Sequence, residues 1–250
     1  MLAQMAVAAV ANDGLVFRGT ARDIQTGRPL YRENHFVSNP GTAREYRVVH
    51  YQCPENDAIF ARKEIDYSLS REMPRFTLTD MPAGYVEGLR TLADNRVQVF
   101  QVPGPGRSER NALLPKSESV VVDAGFDEFL RRVWPALQRG ETVRFAFLVP
   151  SRLHAFQFRV TKNRDEIVAG TAVSVMRLGL AGLIGRFLPE IEASYRTSDR
   201  VLMRYKGLTN LRDAAGDNFT ARIDFPQTER RIAPVDIASL RAVPLVSRCN

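Results

Sequence analysis

From Leu15 onward the chain is a succession of short alternating segments cut by turn residues, and this pattern constrains its fold more than any other feature. Alternation at period two marks strands with one buried face, and Gly, Pro, Asn and Asp clusters mark the reversals between them. Leu15–Arg22 is followed by Asp23 and Gly27-Arg28-Pro29, Leu30–Val37 by Ser38-Asn39-Pro40-Gly41, and Ala43–Tyr51 by Pro54-Glu55-Asn56-Asp57. Ala58–Tyr67 and Arg75–Asp80 continue the series, and Tyr85–Leu92 and Arg96–Val102 flank Ala93-Asp94-Asn95, a hairpin signal. Pro103-Gly104-Pro105-Gly106 then opens a loop to about Ser117.

One segment has a different period. In Phe126–Arg139 the apolar residues Phe126, Phe129, Leu130, Val133, Trp134 and Leu137 recur on one helical face. Asp123 or Gly125 is placed to cap its start, Gly140 its end, and Pro135 is expected to kink it. Strands resume at Thr142–Val149, His154–Thr161 and Ile167–Arg177. Leu178–Leu188, with Gly179, Gly182 and Gly185, reads as a short second helix packed closely on the sheet. Glu190–Thr197 and Arg200–Lys206 read as a hairpin, Phe219–Phe225 as a half-buried strand, and Val235–Ala242 as a last helical turn or two. The fold class predicted is mainly β: a large curved antiparallel sheet, a half-barrel or open barrel, wrapped around one amphipathic helix, with a second short helix. Residues 1–12 are read as a signal-peptide remnant and 13–250 as a single β-rich domain.

Charge adds little about partners. Of 35 Lys and Arg residues only Lys63, Lys116, Lys162 and Lys206 are lysine, and the net charge is +7. The arginines are scattered and acid-flanked, as in Arg22-Asp23 and Arg44-Glu45, rather than gathered on one tail or face. That argues for a solvated surface and against nucleic acid. The first eleven residues, MLAQMAVAAVA, are uncharged and resemble the apolar region and cleavage site of a secretory signal, although no basic residues precede them. They predict an exported, periplasmic protein; without a signal remnant the expectation is cytoplasmic. No stretch is long enough for a transmembrane helix. Cys53 and Cys249 are read either as a disulfide tying the C-terminal tail to an early strand or as two unrelated thiols.

The residues Gly19-Thr20-Ala21-Arg22-Asp23, Ala61-Arg62-Lys63, Gly84-Tyr85-Val86-Glu87-Gly88, Asp123 to Asp127, Pro150-Ser151-Arg152 and Arg204-Tyr205-Lys206-Gly207 resemble a group of uncharacterised exported bacterial proteins, over about Gly19 to Pro226. The Pro189, Tyr195, Arg200, Tyr205 and Gly207 pattern is similar to hairpins of periplasmic lipoprotein carriers of the LolA/LolB type. The second resemblance implies an architecture: a curved antiparallel sheet around helices, with an apolar cavity.

No nucleophile elbow, zinc-binding helix, phosphate loop or calcium loop is present. No catalytic residue, metal or cofactor is therefore assigned. His35, His50 and His154 are each read as ordinary sheet histidines. The strand Ala61 to Tyr67 sets Arg62, Glu64 and Asp66 on one face and Lys63, Ile65 and Tyr67 on the other; a solvated charged face is an ordinary outer surface, whereas one turned inward makes Arg62 and Asp66 a buried pair. Arg152 and His154, between two Phe-rich strands, raise the same question at a cavity mouth. Trp134, Phe145, Phe147, Phe156, Phe158, Tyr195, Met203 and Tyr205 are read as core or as the wall of a cavity for an apolar ligand. The leading expectation is an exported, non-enzymatic carrier of a lipid or other hydrophobic ligand, with peripheral envelope association. One alternative is an envelope structural or interaction protein with a filled core. The other is an enzyme of unrecognised type, which requires at least two of Arg62, Asp66, Arg152 and His154 to converge in one cleft.

Overall fold

The computed structural model describes residues 12–94, 96–114, 120–181, 191–213 and 215–249. Eight strands form an antiparallel meander: β1 (Asn12–Asp23), β2 (Pro29–Ser38), β3 (Tyr46–Gln52), β4 (Ile59–Asp66), β5 (Arg75–Asp80), β6 (Tyr85–Thr91), β7 (Val97–Val102) and β8 (Arg110–Leu114). After β9 (Val120–Val122) and a 3₁₀ turn at Asp123–Gly125 comes helix α1 (Phe126–Gln138). A second antiparallel series follows: β10 (Val143–Val149), β11 (His154–Val168), β12 (Thr171–Leu180), β13 (Ile191–Arg196), β14 (Leu202–Arg212) and β15 (Asn218–Asp224). β15 returns to pair with the second half of β1, joining both series into one sheet. β16 (Arg231–Val235) pairs with the first half of β1, and α2 (Ile237–Ala242) follows it. The sheet has 16 strands and stays open, with β8 at one end and β9 at the other. β9 runs parallel to β10, which makes the sheet mixed.

Helix α1 lies on the inner face of the second series. Phe129, Leu130, Trp134 and Leu137 are its buried residues, packed with Val121, Phe145, Val160, Met176 and Tyr195. Gly125 caps its start without a side-chain hydrogen bond. A Cβ at Gly125 would stand 2.1 Å from the Glu72 carbonyl oxygen, so only glycine allows this approach between the turn and the β4–β5 connection. At the other end Gly140 N–H donates to the Leu137 carbonyl and Glu141 N–H to the Ala136 carbonyl, a Schellman closure. Pro135 has no N–H for the Arg131 carbonyl four residues earlier. That carbonyl instead accepts from Arg200 at 3.2 Å.

Several boundaries differ from the sequence expectation. Leu178–Leu180 belong to β12, not to a second helix, because β11 pairs with all three and β13 with Leu178; residues 182–188 of that expected helix lie outside the described residues. The expected strand Ile167–Arg177 is split by a two-residue turn at Ala169 and Gly170, both at positive φ, as a type I′ hairpin requires. Arg110–Leu114, expected as loop, is the edge strand β8. The apolar start read as a signal remnant lies outside the described residues, except Asn12, which opens β1.

Cys53 and Cys249 form a disulfide with a Cα–Cα distance of 5.4 Å and a sequence separation of 196. In the chain-entropy account a closure of this length contributes about 5 kcal/mol to stability. It holds the C-terminal segment on the outer face of β3 and β4, where His50 Nε2 lies 2.9 Å from the Leu240 carbonyl and Arg62 donates to the Val243 carbonyl at 2.9 Å.

A candidate ligand cavity with one charged wall

Between α1 and the two strand series lies a cavity of about 400 Å³. Its walls follow from strand register. Directly opposed residues share a face, so Phe17, His35, Val49, Lys63, Leu78, Glu87 and Gln101 form one inward row across β1 to β7. Glu33 and Tyr51 face each other in the adjacent inward row. The first series therefore contributes Glu33, His35, Lys63 and Glu87 to the cavity lining. The second contributes Phe147, Phe158, Leu178, Ile191 and Leu202, and α1 contributes Phe126. The Phe147 and Phe158 rings lie 5.4 Å apart, and Phe126 lies 6.5 Å from Phe147.

The charged wall is a hydrogen-bonded network. Lys63 Nζ donates to both oxygens of Asp123 at 2.8 and 3.1 Å. Burial opposes the charge on Lys63, but Asp123 outweighs it and the ammonium is held above its usual range. Asp123 adopts a left-handed backbone conformation, with φ of 43°. Such a conformation costs a non-glycine residue about 1 kcal/mol or more. Here it turns the carboxylate to Lys63 and to Asn210 Nδ2 at 3.1 Å. Asn210 also donates to Glu87 at 2.7 Å, as does the Tyr85 hydroxyl at 2.7 Å. Burial pushes the Glu87 carboxyl up to about 7. Glu33 accepts from His35 Nε2 at 2.9 Å, and burial holds the imidazole below its ordinary pKa, uncharged near neutrality. His35 Nδ1 is buried with no partner among the described residues.

The residues singled out in the sequence fall into five places. Phe147, Phe158, Tyr195 and Tyr205 line the cavity. Tyr195 donates to Asp127 at 2.6 Å and Tyr205 to the Leu208 carbonyl at 2.5 Å. Trp134 and Phe145 are buried behind that wall: Phe145 lies 4.4 Å from Phe129, and Trp134 meets Tyr195 edge-on at 6.3 Å. Phe156 is half-buried against His154, which is exposed, as is Arg152. Met203 packs with Val168, Val173 and Val175 in a separate cluster, because Val173 and Val175 alternate with the residues that face α1. Arg62 and Asp66 form no buried pair. Their face of β4 is the outer one, where Arg62 meets Glu64 at 3.1 Å and Asp66 meets Arg75 at 2.5 Å. Lys63, on the other face, is the inward cation. Arg62, Asp66, Arg152 and His154 thus do not converge.

Sequence reading passed over Glu33, His35, Lys63, Glu87 and Asp123 as site residues. A signal for the first two was present: Tyr31, Glu33, His35 and Val37 share a face with apolar ends, which places polar groups on a buried side. The three histidines are apart, and no group of three or more His, Cys, Asp or Glu arranged for a metal occurs among the described residues.

No family model and no curated protein matches the chain. Among solved structures it is similar to a beta-barrel-like protein of the domain of unknown function DUF1849 from Brucella abortus, at 11% identity and a TM-score of 0.42 over 91% of this chain and 100% of that one. It is also similar to a DUF1329 family protein from Desulfovibrio piger ATCC 29098, at 9% identity and a TM-score of 0.28 over 89% of this chain and 86% of that one. A third similarity is to a putative outer membrane lipoprotein-sorting protein domain from Vibrio parahaemolyticus, at 7% identity and a TM-score of 0.30 over 92% and 89%. No described helix is long and apolar enough to cross a membrane.

Proposed function

We propose that this protein is a non-enzymatic carrier that holds a lipid or other hydrophobic ligand in the cell envelope. The observation that carries the reading is the cavity of about 400 Å³ with an aromatic and aliphatic wall. Ligand sites are typically clefts of roughly 300–1,000 Å³, mostly apolar, with a few placed polar groups. In this reading Phe147, Phe158, Tyr195 and Tyr205 touch the ligand, and Trp134 and Phe145 keep that wall rigid from behind. The chain from residue 13 acts as one domain, since neither strand series encloses the cavity alone. The Cys53–Cys249 disulfide supports an exported, periplasmic setting, because disulfides persist in oxidising compartments.

Native mass spectrometry of the purified protein, followed by organic extraction, tests the reading. The expected result is a bound mass that organic solvent removes as an apolar molecule. A protein that carries no adduct and binds no alkyl-chain probe overturns it.

A further inference from the structure

The charged wall of the cavity holds more carboxyls than cations. Glu33, Glu87, Asp123 and Asp127 line it, against Arg47 and Lys63. Both cations are already engaged: Lys63 with Asp123, and Arg47 with Glu45 at 3.2 Å. The Arg47 guanidinium also stacks on Tyr67 at 5.6 Å, which turns it toward the Glu45 side, although its Nε has no partner. Glu33, Glu87 and Asp127 therefore face the cavity with no direct salt bridge to arginine or lysine among the described residues.

The donors around Glu87, Asp123 and Asp127 are similarly spent. Asn210 Nδ2 bridges Glu87 and Asp123, the Tyr85 hydroxyl is on Glu87, and the Tyr195 hydroxyl is on Asp127. What remains at Glu33 and His35 is acceptor capacity. Glu33 is 7% exposed and has His35 as its hydrogen-bond donor. With its proton on Nε2, the uncharged His35 ring presents Nδ1 as a bare buried acceptor, and a buried acceptor without a donor is costly. An anionic head entering here meets further carboxyls, and a neutral acceptor meets acceptors. A cation that donates several hydrogen bonds supplies both missing quantities.

We propose that the cavity is selective for an amphiphile with a protonated amine head, the ammonium seated at Glu33 and His35 and the chain running toward Phe147 and Phe158. This rests on the ligand-holding reading above and names the chemistry of its polar end. The raised Glu87 carboxyl agrees with it, since burial outweighs the pull of Lys63 and Arg212 and a further cation in the cavity lowers it again.

Displacement of an environment-sensitive alkyl probe, below micellar concentrations, compares three ligands with the same chain: dodecylamine, dodecanol and dodecanoate. The expected order is amine, alcohol, carboxylate, with the amine at least about tenfold tighter than the carboxylate. Glu33→Gln is expected to cost the amine roughly tenfold and to leave dodecanol within about twofold. If that variant does not fold, the wild-type series alone decides. Equal affinity for amine and carboxylate, or a carboxylate preference that Lys63→Met abolishes, overturns the ammonium head while the ligand-holding reading stands. Binding of none of the three overturns both.

Discussion

The two strand series face one another across a single cavity and bring it opposite chemistry. The series β9 to β15 carries α1, and its inner face is committed to the helix: Phe145, Val160, Met176 and Ala193 pack beneath Phe129, Leu130 and Leu137. What it leaves to the cavity is the apolar margin of that core. The series β1 to β8 has no described helix packed along its inner face. There the middle row carries His35, Lys63 and Glu87: Lys63 is held by Asp123 from the turn that opens α1, Glu87 accepts from Asn210 of β14 and from Tyr85, and His35 reaches Glu33 through Nε2 alone. A helix-backed sheet wall becomes dry core, whereas an unbacked wall of the same sheet can keep buried charge only where the opposite series supplies partners.

The largest effect expected on this contrast comes from Phe129→Ala. Phe129 is 2% exposed and central to the helix-backed wall, so the variant is expected to lose about 3–5 kcal/mol, read from the denaturant midpoint. A loss below about 1 kcal/mol breaks the distinction, because α1 is then not the core of its series.

Glu87→Gln tests the charged wall with the opposite sign. The Glu87 carboxyl sits at about 7 in the folded protein against a usual 4.5, with burial as the main cause. Its folded value is raised, so the stability tied to its proton is fully present below about 4.5 and is lost as pH rises through about 7. The glutamine variant carries no such loss, so its stability relative to wild type is expected to rise by about 3 kcal/mol between pH 4 and pH 8, on top of a pH-independent cost for losing one of the two acceptor oxygens that Tyr85 and Asn210 use. Melting curves of both proteins across pH 4 to 8 measure it. A difference that does not rise with pH means that Glu87 is a paired carboxylate, and the account of this wall then fails.

The smallest effect sharpens the boundary of the site. Arg152→Ala and His154→Ala, at exposed positions near the cavity-lining Ser151, are expected to change stability by no more than about 0.5 kcal/mol and to leave alkyl-probe binding unchanged. A clear loss of binding in either variant moves the site toward the β10–β11 turn.

The aromatic wall was legible because Phe145, Phe147 and Phe158 alternate within strands and the face of α1 repeats at helical spacing; both patterns are local. Met203 is core, as one of its two readings had it, but not beside the cavity. Its strand looks alternating, but the pairing of β13 with β14 shifts register between Ser194 and Tyr195, and Met203 lies in the cluster with Val173 and Val175 instead. Arg62 and Lys63 show the limit most directly. Period two separated their faces correctly and left open whether the more heavily charged one is an outer surface or an inward site. Only the covering of that face by the C-terminal segment, through Arg241 on Glu64 and Arg62 on the Val243 carbonyl, makes it the outside.

By itself the sequence determined that this chain is a long strand series interrupted by one amphipathic helix, since turn chemistry and hydrophobic period act over a few residues and need no partner. Only the tertiary structure decided which face of each strand turns inward, because that choice depends on contacts made over large sequence separations. His35, Lys63 and Glu87 become one row through the register of seven strands, and Lys63 meets Asp123 from 60 residues away. Cys53 meets Cys249 across 196 residues. Burial at such distances follows from packing rather than from local pattern, and it turns a few ordinary polar residues into the charged wall of a cavity.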